Sequence, residues 1–425
     1  MGGPVSMVEQ HVLVIGGGVI GLSCAYELRK RGYAVTVAER FQCGGQASGA
    51  AAGMLAPFSE NGEQPDPFFE LCLDSLRLYE DWQQEIRTVS GMDFEFSRTG
   101  SLYVYYHDAD RQAMESRRLW QSAYGADARI VTGDELISLE PGLSREVRGA
   151  LYYPHESHVY APHYVKALEQ ACRLTGVTIR EQVGAMELLG EAGGASGRGS
   201  AESAGVGVSV RLENGEVLSA DRLLLCNGAW AQQWESAWGI NVPVYPIRGQ
   251  ICAYEAAFPG ELRHMVFCSQ GYVVGKANGS LVCGASEDVA GFDTTVTPRG
   301  LARLESWNGK LLPALRDREP FHQWAGLRPA TQDGWPLIGP VRGATAAEAE
   351  ALAASAAAGS PPAVMFAVGH YRNGILLGPA TAKLVADLAD GGGRQGDKAL
   401  GGGNRYFSEA KLMKYAAAFA PGRFS

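Results

Sequence analysis

The sequence predicts a two-domain α/β protein, α+β over its whole length. A doubly wound domain is assembled from the first and last thirds of the chain, and a β-rich domain is inserted between them. Three observations predict it. The chain opens strand–helix–strand, with apolar runs at 11–15 and 33–38 on either side of a helical segment at 22–31. Its middle carries a strong hairpin signal, Asn278-Gly279 between the apolar runs 272–276 and 281–283. It closes on a buried strand, 364–368, that runs through Gly369 to Gly374 into a helix over 375–388. At 425 residues the chain is long for one core, and two or three domains of ~100–200 residues are the usual outcome. The expected division is residues 1–92, 156–243 and 323–425 for the doubly wound domain, and 93–155 with 244–322 for the insert.

Each element has a local reason. The run His11-Val-Leu-Val-Ile15 is short, apolar and β-branched, as a strand buried on both faces requires. The helix at 22–31 closes on Arg29, Lys30 and Arg31, cations that suit a carboxyl-terminal end, and Gly32 stops it. The small-residue stretch 43–55 is too glycine-rich for a confident helix and too apolar for a linker. Helices follow over 67–91 and 110–124, with a strand at 100–106 between them and another at 223–226. The Ala-rich stretch 344–358 carries Glu348 and Glu350 and reads as a surface helix. The Gly-rich stretches 191–207 and 391–403 read as a hairpin tip and a connector.

Composition removes several function classes. The net charge of -9, from 37 basic and 46 acidic side chains, argues against nucleic acid as a partner. No run of ~18 apolar residues marks a membrane span, and no leader pattern opens the chain. The eight cysteines are scattered without a Cys-x-x-Cys pair, so reduced thiols in a cytoplasmic protein are expected, mostly as small core residues. His155, His158 and His163 lie near Glu156, but Pro154 and Pro162 bracket them and no helix presents them together. No metal site is expected.

The chemistry starts at Gly16-x-Gly18-x-x-Gly21. The first glycine allows a tight turn, the second lets backbone approach a pyrophosphate, and the third lets helix and strand pack closely. The helix then offers free N–H groups and the positive end of its dipole to the phosphates. Glu39 stands 18 residues beyond Gly21 at a strand end, where a carboxylate meets a ribose hydroxyl. Strand, glycines, helix, strand and acid in this order specify a Rossmann-like dinucleotide-binding unit. NAD and FAD share it. A second glycine-rich stretch after the first unit, and a late one at Gly369, favour the longer FAD, which several distant segments must enclose.

Four stretches carry a resemblance: HVLVIGGGVIG with VAER, SGAAAGML, WAGLRPATQDGWPLIG and VGHYRNGILLGPAT. Together they resemble the D-amino-acid-oxidase-like FAD-dependent oxidoreductase family, in particular its glycine-oxidising branch from thiamin (thiazole) biosynthesis, over residues 11–388. The resemblance implies non-covalent FAD, an amino-acid substrate, oxygen as the second substrate, hydrogen peroxide as a product, and a homotetramer. It implies cofactor contacts at Gly16, Gly18, Val19, Ile20 and Gly21 for the pyrophosphate, and at Glu39 and Arg40 for the ribose. Ala185 offers backbone to the adenine. Ala47, Ser48, Ala52, Gly53 and Met54 line the cofactor, and His370, Tyr371, Arg372, Asn373, Gly374, Ile375 and Leu376 wrap the flavin's pyrimidine end. Tyr272 and Arg328 grip the substrate, Arg372 lies by flavin and carboxylate, and Met54 lies near the reacting atoms.

The residues give their own reasons. An amino acid brings a carboxylate that must be paired when buried, and arginine supplies a planar, permanently charged fork for it. Arg328 follows the apolar run Trp324-Ala-Gly-Leu327 and so needs a partner, substrate or structural. Tyr272 would serve if its hydroxyl meets the carboxylate, and would otherwise be strand packing. Arg372, at a strand-to-helix junction, could stabilise charge on a reduced flavin or sit as a solvated loop cation. The expected reaction transfers the α-hydrogen of a neutral amine as hydride, with no side-chain base, and the imine hydrolyses to glyoxylate or another α-keto acid and ammonia. The alternatives are a sarcosine-type secondary-amine oxidase or dehydrogenase, a hydrogen-cyanide-synthase-type subunit, and a non-catalytic flavin-binding module.

Overall fold

In the computed structural model, which describes residues 9–62, 64–191, 207–238, 240–258, 260–341, 363–390 and 405–424, the opening strand His11–Ile15 lies inside a six-stranded sheet. The order is Leu337–Pro340, Val364–Val368, Arg222–Leu225, His11–Ile15, Ala34–Ala38, Thr178–Arg180. All pairs are parallel except the first. Alternation divides each strand between two cores. Val12 and Val14 face the helices Val19–Lys30, Pro67–Ser90, Ala161–Leu174 and Gly374–Ala389. Leu13, Ile15, Leu223 and Leu225 face the other way, toward a small antiparallel sheet that includes Val208–Leu212 and Val217–Ala220. The opening and closing thirds thus share one core.

A second sheet of eight strands runs His322–Thr331, Val244–Glu255, Ser280–Gly284, Gly271–Gly275, Met265–Cys268, Ser101–Tyr105, Gly149–Tyr153, Arg129–Thr132. The helix Pro298–Leu311 covers one of its faces with Leu304, Trp307 and Leu311. The other face turns Ile251, Phe267, Tyr272 and Val274 toward Ala52 and Ala56 of the opening third. That seam places the site.

Most elements fall where the sequence puts them. The long helix Pro67–Ser90 is capped by the Asp66 carboxylate, which accepts from the Phe69 N–H at 2.7 Å, and it ends at Gly91 with φ +66°. Asn278-Gly279 turns the hairpin, with Gly279 at φ +83°. Three details differ. The first helix begins at Val19 rather than 22, because the glycine motif itself forms its first turn. The stretch 43–55 contains a short helix, Ala47–Ala50, and a strand, Met54–Leu55. The boundary expected at 323 falls inside a ten-residue antiparallel ladder between Val244–Glu255 and His322–Thr331. Residues 323–331 therefore extend the eight-stranded sheet, since that ladder satisfies their backbone groups.

The eight cysteines are free thiols, seven of them buried and Cys43 half-buried. His158 is buried while His155 and His163 are exposed, and no group of metal-binding side chains occurs among the described residues. No helix among those residues is long and apolar enough to cross a membrane. The surface helix expected at 344–358 and the connector at 391–403 lie outside the described residues, as does nearly all of the 191–207 excursion.

Candidate active site

An open cleft, about 1620 Å³ with the solvent at its mouth included, runs from the carboxyl ends of the six-stranded sheet to the inner face of the eight-stranded one. Its walls come from segments as far apart in the chain as Gly16, Ala185, Trp230, Arg328 and His370, as the enclosure of an elongated ligand requires. At its start the chain leaves His11–Ile15 through Gly16, whose φ of +108° disfavours a side chain. A Cβ on Gly21 would overlap the Gly16 carbonyl oxygen, so helix and strand can close only over a glycine. The helix then starts at Gly18 with no side-chain cap and no acid in its first turn. Gly16, Gly18, Val19 and Ile20 line the cleft, which makes this end an anion site. The Val19 N–H donates to Ser48 Oγ at 2.9 Å, fixing the loop opposite.

Glu39 and Arg40 line the same end. The Glu39 carboxylate accepts from the Gly17 N–H at 2.6 Å and the Phe41 N–H at 2.9 Å. Burial raises its pKa, and those two backbone donors oppose the rise. Ala185 also lines the cleft, with its N–H donating to Glu213 Oε2 at 2.9 Å. Along the middle run Ala47, Ser48, Ala52, Gly53 and Met54. Asn227 lies across from them, just past the strand Arg222–Leu225, and its Oδ1 and Nδ2 are buried with no partner among the described residues. An amide left unsatisfied in this way fits a polar ligand in the cleft. The uncapped helix, the glycine turn and the free amide together accept a dinucleotide, which the residues present would hold along the cleft's length.

His370, Tyr371, Arg372, Gly374 and Ile375 close the far end. His370 is buried, its Nε2 lies 3.0 Å from Thr381 Oγ1, and burial pushes its pKa down to about 3, so the ring is neutral. Three of the expected cofactor residues do not line the cleft. Gly21 sits beneath the turn, Asn373 stands at the start of the helix Gly374–Ala389 with no side-chain cap bond and its Oδ1 buried without a partner among the described residues, and Leu376 belongs to the core.

Tyr272, Arg328, Met54 and Arg372 meet at the end near the eight-stranded sheet. Arg328 donates to the Ser286 carbonyl at 2.9 Å and has no carboxylate within 4 Å among the described residues. Its guanidinium lies directly over Gly249, where any Cβ would collide with it. Arg372 is different. It pairs with Glu60 at 3.2 Å and stands 3.7 Å from Glu287. Tyr272 is buried, and burial raises its pKa against the lowering influence of Arg328 and Arg372.

Glu60 is the group that the sequence reading missed. It lines the cleft with a side chain only 4% exposed. Burial raises its pKa, and Arg372 first, then Arg328, pull it back. Its backbone is firmly held: the Glu156 carboxylate accepts from the Phe58 N–H at 2.8 Å and the Ser59 N–H at 2.9 Å, and Arg117 donates to the Ser59 carbonyl at 2.6 Å. No local signal marks Glu60, because its partner is more than three hundred residues away. Asn227 was findable, since ligands in such sheets collect at strand carboxyl ends.

An anion-receiving glycine turn and a long cleft ending at arginines define a flavin-type oxidoreductase. The family model for FAD dependent oxidoreductases (DAO) matches residues 11–388, and the chain belongs to that family. Within it, the glycine oxidase of Geobacillus kaustophilus is 30% identical over 383 residues, 89% of this chain and 92% of the relative. The crystal structure of glycine oxidase from that organism aligns with a TM-score of 0.80 at 28% identity, covering 97% of this chain and 99% of that one. A bifunctional ThiO/ThiG protein of Synechocystis is 31% identical over 89% of this chain, which spans only 51% of that longer protein. The hydrogen cyanide synthase subunit HcnC of Pseudomonas aeruginosa is 30% identical over 89% of this chain and 91% of its own. The protein is thus an FAD-dependent oxidoreductase resembling the glycine oxidases.

Proposed function

We propose that the protein oxidatively deaminates glycine and related small amines, such as sarcosine and small D-amino acids. The products are an imine, which water hydrolyses to glyoxylate or the matching α-keto acid with ammonia (methylamine where the substrate is sarcosine), and hydrogen peroxide from oxygen. The observation that carries this reading is Arg328: a cation with no carboxylate within 4 Å among the described residues, beside a buried tyrosine, in a long cleft that accepts a dinucleotide. Bound FAD would supply the two-electron acceptor. The Arg328 fork and the Tyr272 hydroxyl would hold the substrate carboxylate and so orient the α-carbon. Arg372 is balanced by Glu60, so the pair adds little net charge and the site suits a substrate with one carboxylate. Met54 and Ile251 give this end an apolar lining. His370 is committed to Thr381, which favours non-covalent flavin.

The ThiO/ThiG relative supports a place in thiazole formation for thiamin. A cytoplasmic homotetramer, and two domains meeting at the cleft, complete the reading. The HcnC likeness supports one competitor, a hydrogen-cyanide-synthase-type subunit, and a sarcosine-type dehydrogenase that passes electrons to an acceptor other than oxygen is the other. An oxygen-electrode assay separates the oxidase from both. With glycine in air, glyoxylate, ammonia and peroxide are expected in equal amounts. Turnover only with an artificial acceptor, and no peroxide, would favour the competitors.

A further inference from the structure

Lys276 follows the strand Gly271–Gly275 and is buried. Its side chain crosses from the eight-stranded sheet to the cofactor half. There Nζ donates to the Ala52 carbonyl at 2.7 Å and the Val159 carbonyl at 2.9 Å, and it meets His158 Nδ1 at 3.1 Å. Three acceptors match the three N–H groups of an ammonium. No carboxylate lies within 4 Å of Nζ among the described residues. The acid acting on it is Glu95, which stands 3.6 Å from His158 Nδ1. A buried ammonium without a direct counterion is costly, so stability is a poor explanation for it.

The two carbonyls point to another role. Ala52 lines the cleft with Gly53 and Met54. Val159 ends the strand Ser157–Val159, which pairs with Met54–Leu55, and its N–H donates to the Gly53 carbonyl at 2.8 Å. Gly53 itself is left-handed, at φ +79°, with no room for a Cβ beside Val159. This wall of the cleft is therefore bent and clamped, and Lys276 is the clamp reaching it from the other sheet. Tyr272 stands four residues earlier, on the same face by strand alternation.

We propose that Lys276 is a positioning residue for FAD: its ammonium latches the 52–54 wall of the cleft to the strand that carries Tyr272, coupling cofactor binding to substrate grip. The proposal rests on FAD as cofactor and not on which amine is oxidised. Burial pulls the Lys276 pKa down to about 7, with Glu95 opposing. His158 stays neutral, its pKa pushed to about 2 by burial and then by Lys276, so it accepts throughout. As pH rises through 7 the latch loses its charge and one donated bond. FAD favours the latched form, so its affinity is full below that pH and declines above it.

The test is the FAD dissociation constant, measured by dialysing holoprotein between about pH 6 and about pH 8.5, with melting temperature in parallel. The wild type is expected to weaken about tenfold across that range. Lys276→Met should bind about tenfold more weakly at the acid end and show no further pH dependence. Lys276→Arg, which keeps a charge at every pH, should restore part of the affinity with a flat profile. A flat wild-type profile overturns the proposal, whether or not Lys276→Met folds. So does a Lys276→Met protein that binds FAD as the wild type does.

Discussion

Replacing Arg328 by alanine is expected to raise the KM for glycine by at least about a hundredfold while leaving the bound flavin's visible spectrum intact. Truncating one member of a buried, hydrogen-bonded charge pair costs about 2–5 kcal/mol, and ~1.4 kcal/mol is a factor of ten. The only side-chain hydrogen bond of Arg328 among the described residues is the donation to the Ser286 carbonyl, and its backbone stays in the ladder with Val244–Glu255, so truncation disturbs little else. Gly249→Ala offers an independent route to the same effect. Its Cβ would occupy the space of the Arg328 guanidinium, so the fork must swing away while the charge remains. Both variants should lose glycine affinity more than maximal rate, since binding rather than a step confined to the transition state is removed. An unchanged KM in Arg328→Ala would discredit the role assigned to this arginine.

Gly21→Ala is expected to yield a protein that purifies without colour. The added methyl overlaps the Gly16 carbonyl, and the neighbouring contact is the Cys226 side chain, so the helix Val19–Lys30 must tilt off its strand. That moves the uncapped N–H groups away from the pyrophosphate position. Overpacking of this kind costs ~1–3 kcal/mol, and misplaced phosphate donors add to it. FAD affinity should fall by at least about a hundredfold. Retention of full flavin occupancy after dialysis would contradict the account of the glycine turn.

The sequence made the cofactor half legible because its signals are local. A tight turn, a helix start and a strand end fit within thirty residues, and Gly16, Gly18 and Glu39 stand in the cleft as that logic requires. The hairpin carrying Tyr272 was legible for the same reason, through Asn278-Gly279. The ladder formed by residues 323–331 was not, since pairing with Val244–Glu255 depends on a partner some eighty residues upstream. Nor was the neutralisation of Arg372. Taken alone, Arg372 reads as a solvated cation or a flavin partner, and only the fold brings the buried Glu60 to it. Asn373 and Leu376 show the reverse limit: a motif aligns a whole stretch with a ligand, while the turn into the helix leaves Gly374 and Ile375 on the cleft and these two, three residues apart, off it.

The most direct measurement is a visible spectrum of the purified protein before and after glycine is added under nitrogen. The expected result is a yellow protein whose flavin band bleaches on addition of glycine and returns on admission of air. A colourless protein that cannot take up FAD, or a yellow one that neither glycine, sarcosine nor D-alanine bleaches, would contradict it.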